Sequence, residues 1–377
     1  MEDATERPPA VHLPDDLIID ILSRLPAKSL CRFMCVSKSW HALISDPDYL
    51  DSMFTWPSLF FLRRHDGIGF VTAEGDGGLP LVDSALSFLP AASTITLLDS
   101  CNGLLLLRCS PAIATRRPAA FYVVCNPSTQ EWAALPQPSV EPGFDNNDIK
   151  ACTAALGFDP SVSCSRFHVF QIEEEERMYN YFVRAVEIYS SETGTWARKE
   201  TRWPYYWVYM TGHKTYFNGF LHLTVWELGV IVMVDTKGQA WRTIAVPSNG
   251  FGGFVSHSQG HLVYVAKQMD ALAIYVLEDH SRDRWTLRHK VKIAVLLPSC
   301  LRNNPVVAFH PTCDVFFFYD EKAGRRLVSY DMREKRAHVV RSLEDVALVD
   351  VEEVYPFFFY VPFYSGTIDG QMFTLDV

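Results

Sequence analysis

Four times along this chain an apolar run ends in a short polar residue, and a tryptophan follows six positions later. The pairs are Asn126 with Trp132, Ser190 with Trp196, Asp235 with Trp241 and Asp279 with Trp285. A fifth copy, YDMREKRAHVV, keeps Asp331 without the tryptophan. A short polar side chain that bonds its own backbone starts a turn, and an indole on the returning segment offers a large packing surface. Each copy therefore reads as a β-hairpin, and a chain that repeats one hairpin must stack or ring the copies to bury them.

A second signal precedes most of these hairpins. Asn102-Gly103-Leu104, Asn218-Gly219-Phe220 and Gln259-Gly260-His261 each lead into an apolar run such as LLLL or HLVYVA, while GFDPS at Gly157 and FHPT at Phe309 open two other units. One unit is thus a turn, a buried strand, a further strand, a hairpin and a closing strand. Successive hairpin residues are 44 to 64 apart, a spacing that suits four-stranded propeller blades. Five units are countable, residues 54 to 99 supply strands SLFFLRR and GIGFVTA for one more, and the run VYPFFFYVPFYSG with MFTLDV is placed to close a ring. The expected fold is all-β, a propeller of about six blades with seven allowed. A β-sandwich is the competing architecture.

The N-terminal part is of another kind. Residues 1–11 read as a disordered tail, and residues 12–50 as three short helices. Pro14 suits a first helical position, Asp15 and Asp16 suit the positive end of a helix dipole, and Leu17, Ile18, Ile21, Leu22 and Leu25 recur with helical period. Pro26 stops that helix, Leu30, Phe33 and Met34 lie in a second, and Ser37 caps a third that carries Trp40, Leu43 and Ile44. Large apolar residues cover more than one face of each helix. A segment this small buries only part of its surface alone, so some of these side chains must meet another surface.

This segment resembles an F-box, through Leu13-Pro14-Asp15-Asp16-Leu17, Ile21-Leu22, Leu25-Pro26, Ser29-Leu30, Val36-Ser37-Lys38, Trp40 and Leu43-Ile44-Ser45-Asp46-Pro47. The resemblance implies a module that docks on the Skp-type adaptor of cullin-based ubiquitin ligases, while the rest of the chain chooses the target. It makes Leu13, Pro14, Leu17, Ile18, Ile21, Leu25, Pro26, Leu30, Val36 and Trp40 the candidate adaptor-facing residues. Residues 54–377 resemble the kelch-related F-box-associated domain of plant F-box proteins, through CNGLLLL, CNPSTQEWAALP, LGFDPS, VEIYSSETGTW, NGFLHL and LVSYDM. Kelch glycine doublets are mostly missing. The function so implied is a non-catalytic, substrate-recognition subunit of an SCF-type (Skp adaptor, cullin, F-box) ubiquitin ligase. A small-molecule or glycan-binding propeller receptor and a non-degradative F-box scaffold are the alternatives.

Composition narrows the rest. A formal charge of −10 over 377 residues argues against nucleic-acid binding as the main task. No apolar run reaches membrane-span length, and the start MEDATERPPA does not read as a secretory signal. Nine cysteines without a C-x-x-C pair suit reduced thiols in the cytoplasm or nucleus rather than disulfides or a zinc site. No G-x-S-x-G, H-E-x-x-H or phosphate loop is present, so no catalytic residue, cofactor or metal is expected. Glu173 to Glu176 read as a solvated hairpin tip that keeps an edge from pairing. Trp203 to Tyr209 and Ser248 to Phe254 fall between repeat units, where a propeller carries loops. They supply the candidate target-binding rim: Tyr205, Tyr206, Trp207, Tyr209, Asn249 and Phe251.

Overall fold

The computed structural model describes residues 14–23, 39–40, 43, 59–64, 67–72, 85–89, 92–111, 120–140, 152–177, 180–201, 210–225, 229–247, 253–296, 306–322, 324–348, 356–363 and 368. The chain divides into two units, Met1–Trp56 and Pro57–Val377.

In the first unit, helix α1 spans Asp15–Ser23, with both aspartates in its first turn. Pro14 stands one residue outside the helix rather than within it, and its carbonyl accepts the backbone N–H of Leu17 and of Ile18 at 3.1 and 3.2 Å. Ser39, Trp40 and Leu43 have helical backbone. The remainder of the expected second and third helices lies outside the described residues.

The second unit is a ring of six sheets. Blade 1 is β3 (Ala92–Cys101), β4 (Leu104–Pro111), β5 (Phe121–Asn126) and β6 (Glu131–Ala134). Blade 2 is β7 (Cys152–Phe158), β8 (Phe167–Arg177), β9 (Asn180–Ser190) and β10 (Thr195–Glu200). Blade 3 is β11 (Met210–Phe217), β12 (Phe220–Val225), β13 (Val230–Asp235) and β14 (Trp241–Ala245). Blade 4 is β15 (Phe254–Ser258), β16 (His261–Gln268), β17 (Ala271–Asp279) and β18 (Arg284–Lys292), followed by a single helical turn, α2 (Ile293–Leu296). Blade 5 is β19 (Val306–Phe309), β20 (Val315–Asp320), β21 (Arg326–Asp331) and β22 (Arg336–Ser342). The closing blade joins the two ends of the unit: β1 (Leu59–Arg64) pairs with β2 (Gly67–Thr72) on one side and with β23 (Phe357–Tyr360) on the other.

The first strand of each of the five blades, with β23, forms the inner ring: β3, β7, β11, β15, β19, β23 and back to β3 are neighbours in that order. The β-sandwich alternative is therefore wrong. Apolar side chains pack between successive sheets around an axis, in clusters shared by adjacent blades, instead of between two facing sheets. Residues 59–72 give the closing blade two strands only, and β3, partly within the 54–99 stretch expected to form one unit, belongs to blade 1.

Burial follows strand position. The middle strands are covered on both faces, as in FYVVCN of β5, which is buried throughout. The outer strands β10 and β22 are mostly exposed. Continuous apolar runs such as LLLL thus mark the middle of a blade, where no face meets water.

Both sequence signals turn out to be turns on one end of the ring. Asn102-Gly103, Asn218-Gly219 and Gln259-Gly260 join first to second strands with positive φ at both positions, the two-residue turn whose twist matches paired strands. The hairpin residues join third to fourth strands. Asn126, Asp235, Asp279 and Asp331 each accept a backbone N–H from residues two to five positions on, at 2.7–3.0 Å. At Ser190 the carbonyl takes this role instead, accepting Gly194 N–H at 2.9 Å. The tryptophans do more than fill space. Trp196 of blade 2 donates its indole N–H to Pro136 O, just after blade 1, at 2.7 Å, and Trp285 of blade 4 donates to Ala245 O of blade 3 at 2.8 Å.

Closure is secured at the same end. A Cβ built on Gly103 (φ +90°) would meet Phe363 Cβ at 2.3 Å and Val361 O at 2.8 Å. Asn126 Nδ2 donates to Phe363 O at 2.7 Å, and the Ser128 and Tyr360 hydroxyls lie 2.8 Å apart. Gly103→Ala must both strain the backbone and displace the closing segment, a loss of about 2–4 kcal/mol. Gly219, in the equivalent turn at φ +81°, has open space where the Cβ would go, so Gly219→Ala costs only the backbone strain, about 1 kcal/mol. Urea denaturation of the two variants should give this order. Equal losses would mean that Gly103 does not gate closure.

Candidate functional site

Helix α1 presents two apolar pairs, each one turn apart. Ile18 and Leu22 are buried, at 8% and 0% exposure, whereas Leu17 and Ile21 are 52% and 50% exposed. The side chains one turn apart share a face, so α1 has an inward stripe and an uncovered apolar stripe beside it. Of the other sequence-derived candidates in this unit, Trp40 is half-buried. Leu13, Leu25, Pro26, Leu30 and Val36 lie outside the described residues.

In the propeller, the second-to-third and the blade-to-blade connections leave from the end opposite the tight turns. Tyr205, Tyr206, Trp207 and Tyr209 fall within 202–209, between β10 and β11, and Asn249 and Phe251 fall within 248–252, between β14 and β15. These six residues lie outside the described residues. The strand ends that flank both stretches are on the connection end of the ring. Where the second stretch rejoins β15, Gly253 admits no side chain: a Cβ there would sit 1.9 Å from Tyr264 Oη.

The acidic run is not a hairpin tip. Glu173 to Glu176 lie within β8 and pair with β9, from Glu173↔Ala185 to Glu176↔Tyr181, with a register shift between Glu173 and Glu174. Glu173 is 6% exposed and takes a two-pronged ion pair from Arg198 on β10, Nε and Nη2 at 2.7 and 2.9 Å. Its sequence position resembled a turn because four consecutive carboxylates rarely continue a ladder. The partner two strands away supplies the charge that sequence could not show.

Sequence reading missed a polar cluster at the inner ring. Asp99 on β3 accepts the backbone N–H of Leu156 on β7 at 2.8 Å and that of Ser100 at 3.0 Å. Lys214 on β11 donates to Leu98 O at 3.2 Å. Arg63 on β1 donates through Nε to Leu97 O at 3.0 Å and its guanidinium lies 5.4 Å from the Phe358 ring. Burial raises the Asp99 pKa, lowers that of Lys214 and brings Arg63 down to about 10, while mutual attraction opposes each shift. The signal available was a charged residue within each of the inner strands TITLLDSC and MTGHKTYF. The cluster links four blades through backbone groups, which makes it a fastening for the ring.

Buried thiols are equally unreactive in character: burial pushes Cys109 up to about 12 and raises Cys101 and Cys125 as well. Among the described residues no group of three or more His, Cys, Asp or Glu side chains is arranged to hold a metal ion, and no helix is long and apolar enough to cross a membrane.

A six-bladed propeller behind an F-box defines a plant F-box protein with a C-terminal propeller. The family models match on both parts: the F-box domain over residues 11–51 and the β-propeller of the F-box protein At3g26010-like family over residues 55–353, and the chain belongs to that family. Among its relatives from Arabidopsis thaliana, F-box protein At5g49610 is 26% identical over 85% of this chain and 89% of its own length. F-box protein At3g26010 is 26% identical over 88% and 79%. Of solved structures, a chain in a nidogen/laminin complex aligns with a TM-score of 0.44 at 12% identity, over 81% of this chain and 98% of that one.

One buried ring responds to acid. His222 on β12 is 1% exposed, and burial, with neighbouring His280, lowers its pKa to about 4. The unfolded chain binds this proton near pH 6.5 and the folded chain does not. Stability is therefore full above about pH 6.5 and falls between there and about pH 4, by up to about 3 kcal/mol for this ring. His222→Leu should lessen the dependence of the urea midpoint on pH in that window, with His213, which burial also brings down to about 4, keeping part of it. An unchanged slope would show that the ring is not held neutral.

Proposed function

We propose that this protein is the substrate-recognition subunit of an SCF-type ubiquitin ligase, with residues 12–50 docking on a Skp-family adaptor and residues 54–377 holding the target. The observation that carries the reading is the uncovered stripe of Leu17 and Ile21 on α1, within the stretch that matches the F-box domain. Two large aliphatic side chains left half in water are costly unless a partner covers them. Pro14, Ile18 and Trp40, with Leu13, Leu25, Pro26, Leu30 and Val36, complete or support the same docking surface.

The chain contributes position, not chemistry. The adaptor and cullin fix one end of the assembly, and the propeller holds the target, so the target's lysines meet the ubiquitin-carrying enzyme at high effective concentration. Target contacts are assigned to Tyr205, Tyr206, Trp207, Tyr209, Asn249 and Phe251, whose flanking strands end together at the connection end. No cofactor is required. The cytoplasm or nucleus, where thiols stay reduced, is the setting in which such a ligase acts.

Leu17→Asp with Ile21→Asp should weaken binding of a purified Skp-type adaptor by at least tenfold, about 1.4 kcal/mol, in a titration followed by calorimetry. The urea transition of the propeller should not move. Undiminished adaptor binding by a folded double variant would overturn the reading.

A further inference from the structure

The outermost strand of each sheet gives an internal comparison: it is the fourth strand in five blades and the third, β2, in the closing blade. β2 carries no charged residue, β6 carries Glu131, β10 mixes Arg198, Lys199 and Glu200, and β14 carries Arg242, which is ion-paired to Asp283. β18 and β22, on neighbouring blades 4 and 5, differ. They carry Arg284, Arg288, Lys290, Lys292, Arg336 and Arg341 with no acidic residue, in a chain whose formal charge is −10. They are also the two longest outer strands, at nine and seven residues.

Part of this charge is already used. Arg284 pairs with Glu278 at 3.3 Å, and Arg288 pairs with Asp314 of blade 5. Lys290, Lys292 and Arg336 are exposed and have no carboxylate within ion-pair distance among the described residues. Exposed apolar side chains lie beside them: Leu287 at 49% and Val339 at 55%. No strand pairs with the outer edge of β18 among the described residues, so its outward backbone groups remain free for a ladder.

We propose that the β18 edge of blade 4 is a docking site for an acidic, extended segment of a partner protein, which adds to the blade as a further strand. Lys290 and Lys292 are two apart, so their side chains share a face about 7 Å apart, the repeat of carboxylates at alternate positions of an added strand. The ladder gives register and the lysines select acidic side chains. Positive charge on an edge also keeps copies of this chain from pairing there. That protection alone would be expected on β2 and β14 too, and those edges have none to spare. A nucleic acid fits less well, because β18 exposes no aromatic ring for stacking: Trp285 and His289 are half-buried, and the Trp285 indole N–H is on Ala245 O. The proposal stands apart from adaptor docking.

The test uses the full chain and a fluorescein-labelled twelve-residue peptide alternating Glu and Val, read by fluorescence anisotropy. The expected result is saturable binding that falls at least tenfold in the Lys290→Glu, Lys292→Glu double variant, with an unchanged melting temperature, and that is lost when alternate peptide nitrogens of the probe are methylated. The same peptide with Lys in place of Glu should not bind. Unchanged affinity in the folded double variant would overturn the proposal. So would equal binding of the methylated peptide, which needs no ladder, or tighter binding of a twelve-nucleotide single-stranded DNA, which would make the edge a general polyanion surface.

Discussion

The ring depends on one pairing. β1 and β23 come from opposite ends of the propeller unit, and four residue pairs, Leu59↔Tyr360 through Leu62↔Phe357, join them. Without that pairing the inner circle has a gap between β19 and β3, and two blade faces lose their neighbour. The entropy of bringing such distant residues together rises only slowly with the length between them, so the pairing needs reinforcement more than proximity. Aromatic packing supplies it: Phe60 lies edge-on to Phe317 and Phe359, and Phe61 to Phe70 and Tyr360, at 5.0–5.2 Å between ring centres. Arg63 then carries the seam inward, where Asp99 and Lys214 tie it to blades 1, 2 and 3.

Much of this was legible because local chemistry repeats. Among the described residues, asparagine or glutamine before glycine reports a turn with positive φ, and a short acid or amide at a strand end reports a hairpin. Closure by the aromatic C-terminal run was readable for a related reason, since VYPFFFY had no complement in its own neighbourhood. What stayed hidden was set by partners far along the chain. Glu173 looked like a solvated charge because Arg198 is 25 residues away. Asp99 and Lys214 gave no sign of each other because their meeting needs blades 1 and 3 to be neighbours of one centre. Trp196 and Trp285 showed their bulk in sequence but not the carbonyls of the preceding blade and its connection that receive their N–H groups, whereas Trp241 bonds Gly238 O in its own hairpin. On α1, periodicity showed two apolar stripes, and only coordinates distinguish covered Ile18 and Leu22 from uncovered Leu17 and Ile21.

Adhesive surfaces in this protein differ in kind. α1 offers aliphatic area with little charge beyond its acidic first turn, which suits a permanent, water-excluding contact with another helix surface. The β18 edge offers hydrogen-bonding groups and cations, which suit reversible and salt-sensitive recognition.

The indole straps also have a direction. Trp196 reaches back to Pro136, and Trp285 to Ala245. During synthesis each of these anchors has left the ribosome before the tryptophan that uses it, so blades 2 and 4 each find a finished surface to settle on. β1 and β2 are the exception: they are made first among the strands and must wait, half-paired, until the last strand emerges.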